Sequence, residues 1–200
     1  MEPRLCIDID NVLARSDKVM RRVIRECTNE RVNLRYEDIV EFDYCKCRDA
    51  SGQAITKDEW SNVHAQFSRP DNIGSIEPFP GVSEHLSRLA DVCGLHIVTA
   101  RLPQARTATI EWLDALQLPP YDLHFLHHGM KHAVLTNFAA VVEDDYDQAV
   151  AFAEQRTPCF LLAHPWNKTK PHVSKVEWVK DWNELARAVL SLVNADTTGT

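Results

Sequence analysis

Six residues at four places in the chain have the types and settings for chemistry on a charged group: Asp8 and Asp10, Thr99, Lys131, and Glu143 with Asp144. In Leu5-Cys6-Ile7-Asp8-Ile9-Asp10-Asn11-Val12 an apolar run ends in two aspartates one residue apart. Desolvating two carboxylates is costly unless something positive compensates. Side chains alternate along a strand, but the chain turns at its end, so both can converge at the carboxyl edge of a sheet. A divalent cation and a phosphate group are the obvious compensators. Ile97-Val98-Thr99-Ala100-Arg101 ends an apolar run in a hydroxyl able to donate to a phosphate oxygen, helped by N–H groups where a helix begins. Gly129-Met130-Lys131 offers an ammonium against developing negative charge. Val141-Val142-Glu143-Asp144-Asp145 ends in acids suited to an oxygen-rich Mg²⁺ site.

These groups meet only if their apolar runs are strands of one sheet. Strand signals fall at Leu5–Ile9, Leu95–Thr99, Leu123–Leu126, Ala139–Glu143 and Cys159–Leu162, with a weaker one at Val176–Val179. Helical patterns separate most of them. Gln104–Leu116 places Ala108, Trp112 and Ala115 on one face, and Asp147–Glu154 does so with Ala149, Val150 and Ala153. Asp181–Val193 opens on the capping pair Asp181 and Glu184 and carries Leu185, Val189 and Val193. Alternating strands and helices imply a parallel sheet covered on both faces, a three-layer α/β/α sandwich.

Residues 16–79 break the rhythm. Val19, Val23 and Cys27 share a helical face, and a second helix is capped by Thr56 and Glu59; no strand signal intervenes. This reads as a helical cap inserted after the first strand, with residues 1–15 and 80–200 forming the core. Asn194–Thr200 read as a frayed tail.

The order of Asp8-x-Asp10, Thr99, Lys131 and Glu143-Asp144 resembles the haloacid dehalogenase-like hydrolase superfamily, with its Rossmann-like sheet. Thr99-Ala100-Arg101, Glu143-Asp144 and Pro165-Trp166-Asn167 are similar to the 5′(3′)-deoxyribonucleotidase (type C) branch and its bacterial relatives. The resemblance implies that Asp8 is a nucleophile forming an aspartyl-phosphate and Asp10 the general acid and base. Thr99 and Lys131 would hold phosphoryl oxygens, with Ala100 and Arg101 beside them. Mg²⁺ would be held by Asp8, the backbone carbonyl of Asp10 and Asp144, with Glu143 in support. Asn11 stands where many members have Gly, and Asn tolerates a left-handed backbone. The implied function is Mg²⁺-dependent phosphomonoester hydrolysis, on a nucleoside monophosphate or on another small phosphorylated metabolite such as a sugar phosphate. A dehalogenase has no need of Asp10. A non-catalytic phosphate-binding protein of the same fold is the alternative from another class.

Plainer readings stand beside these. Alone, Asp8 and Asp10 would be loop or capping acids, Thr99 an N-cap and Lys131 a solvated lysine. Arg101 is a substrate contact or half of a structural ion pair. Asp145 and Asp147 read as helix N-terminal acids. Phe42 and Tyr44 stack a base or pack the insert, while Trp60 and Phe67 read as core and Trp166 as a loop anchor. His128 and His132 have metal spacing, but Gly129 lies between them, and solvated loop histidines fit better than zinc. Cys45-x-Cys47 lacks a second pair at ligand spacing. A net charge of −7 over 200 residues argues against a nucleic-acid polymer as partner. The first twenty residues carry charges throughout, and no apolar run is long enough for a membrane span, so the expected setting is the cytoplasm.

Overall fold

The protein, described here from a computed structural model, is defined over residues 2–198, with side chains to residue 195. In chain order its elements are β1 (Arg4–Asp8), α1 (Ser16–Cys27), α2 (Lys57–Phe67), α3 (Pro70–Gly74), α4 (Val82–Ala90), β2 (Gly94–Thr99) and α5 (Arg106–Ala115). There follow β3 (Tyr121–Phe125), α6 (Lys131–Val134), β4 (Ala140–Glu143), α7 (Tyr146–Glu154), β5 (Cys159–Leu162), β6 (Val176–Val179) and α8 (Trp182–Thr198). The strands form one all-parallel sheet in the order β3-β2-β1-β4-β5-β6. β4 and β5 are buried along their whole length, as strands covered on both faces must be.

Alternation along β1 sends its side chains into two cores. Leu5 and Ile7 join Leu95, Ile97, Val142 and Leu162 under α4, α5 and α8. Cys6 joins Val98, Val141 and Leu161 on the other face, under Ala149 and Phe152 of α7 and Leu135 and Phe138 ahead of β4. This is the expected three-layer sandwich. No described helix is long and apolar enough to cross a membrane.

Between β1 and β2 the described residues form helices, short 3₁₀ turns and loops, with isolated bridges joining Ala14 to Asp10 and to Pro78. Val19 and Val23 of α1 and Val63 and Phe67 of α2 belong to the same buried cluster as Leu5 and Ile7. Thr56 caps α2 reciprocally: Glu59 N–H donates to its Oγ1 at 3.2 Å, and its own N–H donates to Glu59 Oε2 at 2.9 Å. Asp181 caps α8 by accepting from Glu184 N–H at 2.9 Å.

Three details differ from the sequence reading. The buried stripe of α5 is Ala108, Thr109, Trp112 and Leu113, while Ala115, the last residue of the helix, faces solvent: at about 100° per residue the stripe is centred roughly 90° round the helix from Ala115. In α7, Phe152 is buried and Val150 only half-buried. α8 runs on to Thr198 through the expected tail, of which residues 199–200 lie outside the described residues.

Candidate active site

β1, β2 and β4 are adjacent and parallel, so their last residues, Asp8, Thr99 and Glu143, share the carboxyl edge of the sheet. Asp144 follows Glu143, and Lys131 opens α6 on the connection from β3 to β4. Lys131 Nζ donates to Asp8 Oδ1 at 2.6 Å and to Glu143 Oε1 at 2.8 Å. Asp8, Glu143 and Asp144, all buried, bring carboxylate oxygens within 4.8 Å of one another. The Asp10 carboxylate is not among them.

This cluster is short of positive charge. Lys131 is the one cation paired with it among the described residues, and Asp144 accepts instead from the neutral Asn11 Nδ2 at 3.1 Å. Glu143 is 1 % exposed, and its Oε2 has no hydrogen-bond partner. An unpartnered buried carboxylate oxygen within a set of hard oxygen donors carrying excess negative charge is what a divalent cation such as Mg²⁺ would satisfy, so the residues present fit that ion.

Titration reflects the same imbalance. Burial pushes Glu143 up to about 8 against the pull of Lys131. Burial also raises Asp8, opposed by Lys131. Asp144 is pushed well above the carboxylate range by burial and by the charges of Asp8, Glu143 and Asp145. A carboxyl raised in the folded state binds protons that the unfolded chain releases. Its contribution is therefore complete below the unfolded value and is lost as pH rises through the folded one. For Glu143 that window runs from 4.5 to about 8. In EDTA, thermal melts are expected to show stability rising as pH is lowered from about 8 to about 5, and saturating Mg²⁺ should flatten the slope. Stability that falls over that range in EDTA would contradict the charge imbalance.

Asp10 lies across the turn. Burial alone would raise it, but the Arg101 guanidinium outweighs burial and holds it below the usual carboxylate range. Arg101 Nη2 donates to Asp10 Oδ1 at 2.7 Å and Nε to Oδ2 at 3.0 Å, and the Ser16 hydroxyl also donates to this carboxylate. Arg101 is itself fixed: Nη1 donates to Thr109 Oγ1 at 3.2 Å, and the guanidinium carbon lies 5.8 Å from the Trp112 ring centroid. Trp112 Nε1 donates to the carbonyl of Ile76 at the end of the insert. Thr99 is buried, its Oγ1 accepting from Arg101 N–H at 3.2 Å, and Ala100 between them is half-buried.

The two aromatic candidates have different settings. Tyr44 is buried, stacks on Trp60 at 5.5 Å and donates its hydroxyl to Asp17 Oδ1 at 2.9 Å, so ring and hydroxyl are both engaged inside the insert. Phe42 is 40 % exposed and lies parallel to His128 at 5.8 Å. It lines a cavity of about 130 Å³ with Asp43, Lys46, Asp145, Tyr146 and Lys170. Asp145 caps α7, accepting from Asp147 N–H at 2.9 Å. His124 is paired with His96 at 3.2 Å, and the buried Cys47 thiol donates to the Glu41 carbonyl.

Ser16, Asp17 and His164 at this edge escaped the sequence reading, whereas Trp166 anchors its loop beside the site as expected. Ser16 and Asp17 open α1 beside the turn, and Asp17 N–H donates to Asn11 Oδ1 at 2.8 Å. The loop after β5 grips the Asp144 carbonyl through Asn167 Nδ2 at 2.9 Å and Trp166 Nε1 at 3.2 Å. Its His164 donates from Nε2 to the Asn11 carbonyl at 2.8 Å. The available signal was position: polar residues directly after a strand face the ligand edge of a parallel sheet.

The model of the family described as 5′ nucleotidase, deoxy (Pyrimidine), cytosolic type C protein matches residues 2–195. Among solved structures, CbbY from Rhodobacter sphaeroides in complex with phosphate is similar at 13% identity and TM-score 0.61, covering 96% of this chain and 100% of that one. A conserved haloacid dehalogenase-like protein of unknown function from Agrobacterium tumefaciens aligns at 13% identity and TM-score 0.66, over 96% of this chain and 99% of that one. A predicted phosphoglycolate phosphatase from Haemophilus somnus gives 14% identity and TM-score 0.62, over 94% and 97%. At such identities the likeness is one of fold. No curated protein sequence matches significantly. The family match over nearly the whole chain, on a fold shared with these hydrolases, places the protein in the type C 5′ nucleotidase family of the haloacid dehalogenase-like hydrolase superfamily.

Proposed function

We propose that the protein is a Mg²⁺-dependent phosphomonoester hydrolase acting on nucleoside monophosphates. The observation that carries the reading is Asp8, buried at the sheet edge between the Lys131 ammonium and the Glu143–Asp144 pair, with Asp10 held two residues on. Asp8 attacks phosphorus and forms an aspartyl-phosphate, which water then hydrolyses. Asp8, the Asp10 carbonyl and Asp144, supported by Glu143, would hold Mg²⁺. When bound, the ion screens the repulsion between the anionic nucleophile and the anionic substrate. Lys131 and Thr99 hold the phosphoryl oxygens, with Ala100 and Arg101 lining the same side. Asp10 protonates the leaving oxygen and then accepts a proton from the attacking water. Asp10 is ionised while the Arg101 fork holds it, so it must first take up a proton from solvent or from the monoanionic phosphate. A phosphoryl oxygen that takes over an Arg101 N–H lets it do so, and the restored fork favours the carboxylate needed in the second step.

Residues 16–79 act as a cap that excludes water and selects the leaving group, with 1–15 and 80–200 as core. Phe42, exposed beside His128, is the aromatic available to a base, and Tyr44 stays engaged with Trp60 and Asp17 inside the insert. The test is phosphate release from a panel of nucleoside monophosphates and sugar phosphates, with Mg²⁺ and with EDTA. Metal-dependent turnover highest on nucleotides is expected. Preference for sugar phosphates would overturn the substrate assignment. Mg²⁺ binding without turnover on any substrate would favour a phosphate-binding protein.

A further inference from the structure

We infer that Asn11 and His164 are positioning residues for Asp144, tied to the inserted segment through Tyr36. A line of hydrogen bonds, Tyr36–His164–Asn11–Asp144, sets the orientation of one carboxylate of the acidic cluster. The inference rests on the proposal that this cluster holds Mg²⁺.

Every polar group of Asn11 is engaged, each with a different partner. Its backbone is left-handed, with φ of +57°. Its N–H donates to the Ala14 carbonyl at 2.7 Å, closing the turn after β1. Its Oδ1 accepts from Asp17 N–H at 2.8 Å at the start of α1. Because Asp17 N–H can only donate, the amide orientation is fixed, and Nδ2 is the group that faces Asp144 Oδ2 at 3.1 Å. A glycine would accept the same backbone with less strain but could supply neither side-chain bond. Asn11 is thus a joint between β1, α1 and β4.

His164 fixes that joint from behind. A carbonyl oxygen only accepts, so the 2.8 Å contact with Asn11 requires hydrogen on His164 Nε2. Burial lowers its pKa to about 4, so the ring is neutral and Nδ1 is an acceptor. The Tyr36 hydroxyl, 2.8 Å away, is therefore the donor. The ring stacks on Trp166 at 4.3 Å and 5°, and His164 N–H donates to Asn167 Oδ1 at 2.9 Å. Trp166 and Asn167 hold the Asp144 carbonyl. One loop therefore grips Asp144 by its main chain directly and by its carboxylate through Asn11.

Tyr36 makes the line more than a brace. It belongs to the segment between α1 and α2, while its partner follows β5. A shift of this segment that breaks the Tyr36 bond removes the donor fixing the His164 tautomer, and Asn11 loses its support. The position of the insert is thereby coupled to the readiness of Asp144 as a ligand. Partners that orient a ligating carboxylate typically change metal affinity about 10–100-fold when lost.

The experiment is calorimetric titration of Mg²⁺ into the full chain, alongside the Mg²⁺ concentration that half-activates phosphate release. Asn11→Gly is expected to weaken Mg²⁺ binding about 10–100-fold, with most turnover recovered at saturating Mg²⁺. Tyr36→Phe, which removes one hydroxyl at a partly exposed site, should move both quantities in the same direction by a smaller factor. His164→Gln, able to donate to Asn11, should be milder than His164→Leu. If Asn11→Gly fails to fold, Tyr36→Phe decides. Lower melting temperatures with unchanged Mg²⁺ affinity would reduce these residues to structural ones and overturn the inference. A wild-type protein that takes up no Mg²⁺ would instead overturn the functional reading beneath it.

Discussion

Replacing Asp8 with Asn is expected to lower Mg²⁺-dependent phosphate release on the order of 10⁴–10⁶-fold, the scale of losing a covalent nucleophile. The amide keeps the shape of the carboxylate but cannot form the aspartyl-phosphate. The same change should stabilise the metal-free protein. Asp8 is raised by burial beside Glu143 and Asp144, so its ionised form is disfavoured in the empty cluster. Asn removes one of three crowded negative charges and leaves Lys131 paired with Glu143 at 2.8 Å. A gain of about 1 kcal/mol would raise the melting temperature by about 2–4 °C in a chain of this size. The stabilisation brought by Mg²⁺ should shrink, because one ligand is gone. Initial rates and scanning calorimetry in EDTA and in Mg²⁺ check all three. Turnover within tenfold of wild type would exclude Asp8 as nucleophile. A less stable Asp8→Asn protein would show that the Lys131–Asp8 bond outweighs the repulsion.

Lys131→Met is expected to be the most destabilising single change at the site, by about 3–5 kcal/mol near pH 8. Methionine fills much of the space but leaves Asp8 and Glu143 buried with no cation beside them. Burial alone would lower the lysine pKa; Asp8 and Glu143 outweigh it and raise it well above its ordinary value, so the ammonium stays charged across the working range. The loss should therefore depend on the state of its partners. As pH falls from about 8 toward 5, the orphaned carboxyls take up protons and the deficit against wild type narrows. Urea denaturation at the two ends of that range, in EDTA, measures it. The double variant Asp8→Asn, Lys131→Met should be more stable than Lys131→Met alone, since the side chains are in contact and their effects do not add. A deficit that is the same at both pH values would mean that packing, not charge, is what Lys131 supplies.

What was legible in the sequence and what was not divide along a physical line. Asp8, Thr99, Glu143 and Asp144 each close an apolar run, so strand recognition and the parallel-sheet rule were enough to bring them to one edge. Lys131 was legible from its place between the third and fourth runs. The capping pairs Thr56–Glu59 and Asp181–Glu184 were legible because their chemistry is local. The Arg101 fork on Asp10 was not, since it joins residues 91 apart and the sequence left Arg101 equally balanced between substrate and ion pair. Nor was the setting of Tyr44, whose burial against Trp60 and Asp17 depends on how α1 and α2 pack. Asn11 was legible as a backbone choice but not as a hydrogen-bonding joint, because His164 and Asp144 reach it only through the fold.

The central place of β1 has a consequence for how the chain is made. Leu5 pairs with Leu95 on one side and Ala140 on the other, so β1 is synthesised well before either neighbour. Pairings that distant close slowly, and in the interval a nascent chain presents Leu5-Cys6-Ile7 with both edges bare. Such a segment invites edge-to-edge association. Arg4 precedes it, and Asp8 and Asp10 follow it, charges placed where aggregation gatekeepers belong. The acids proposed for phosphoryl transfer thus stand at the end of the newborn strand, where charge opposes association, long before there is a cleft for them to serve.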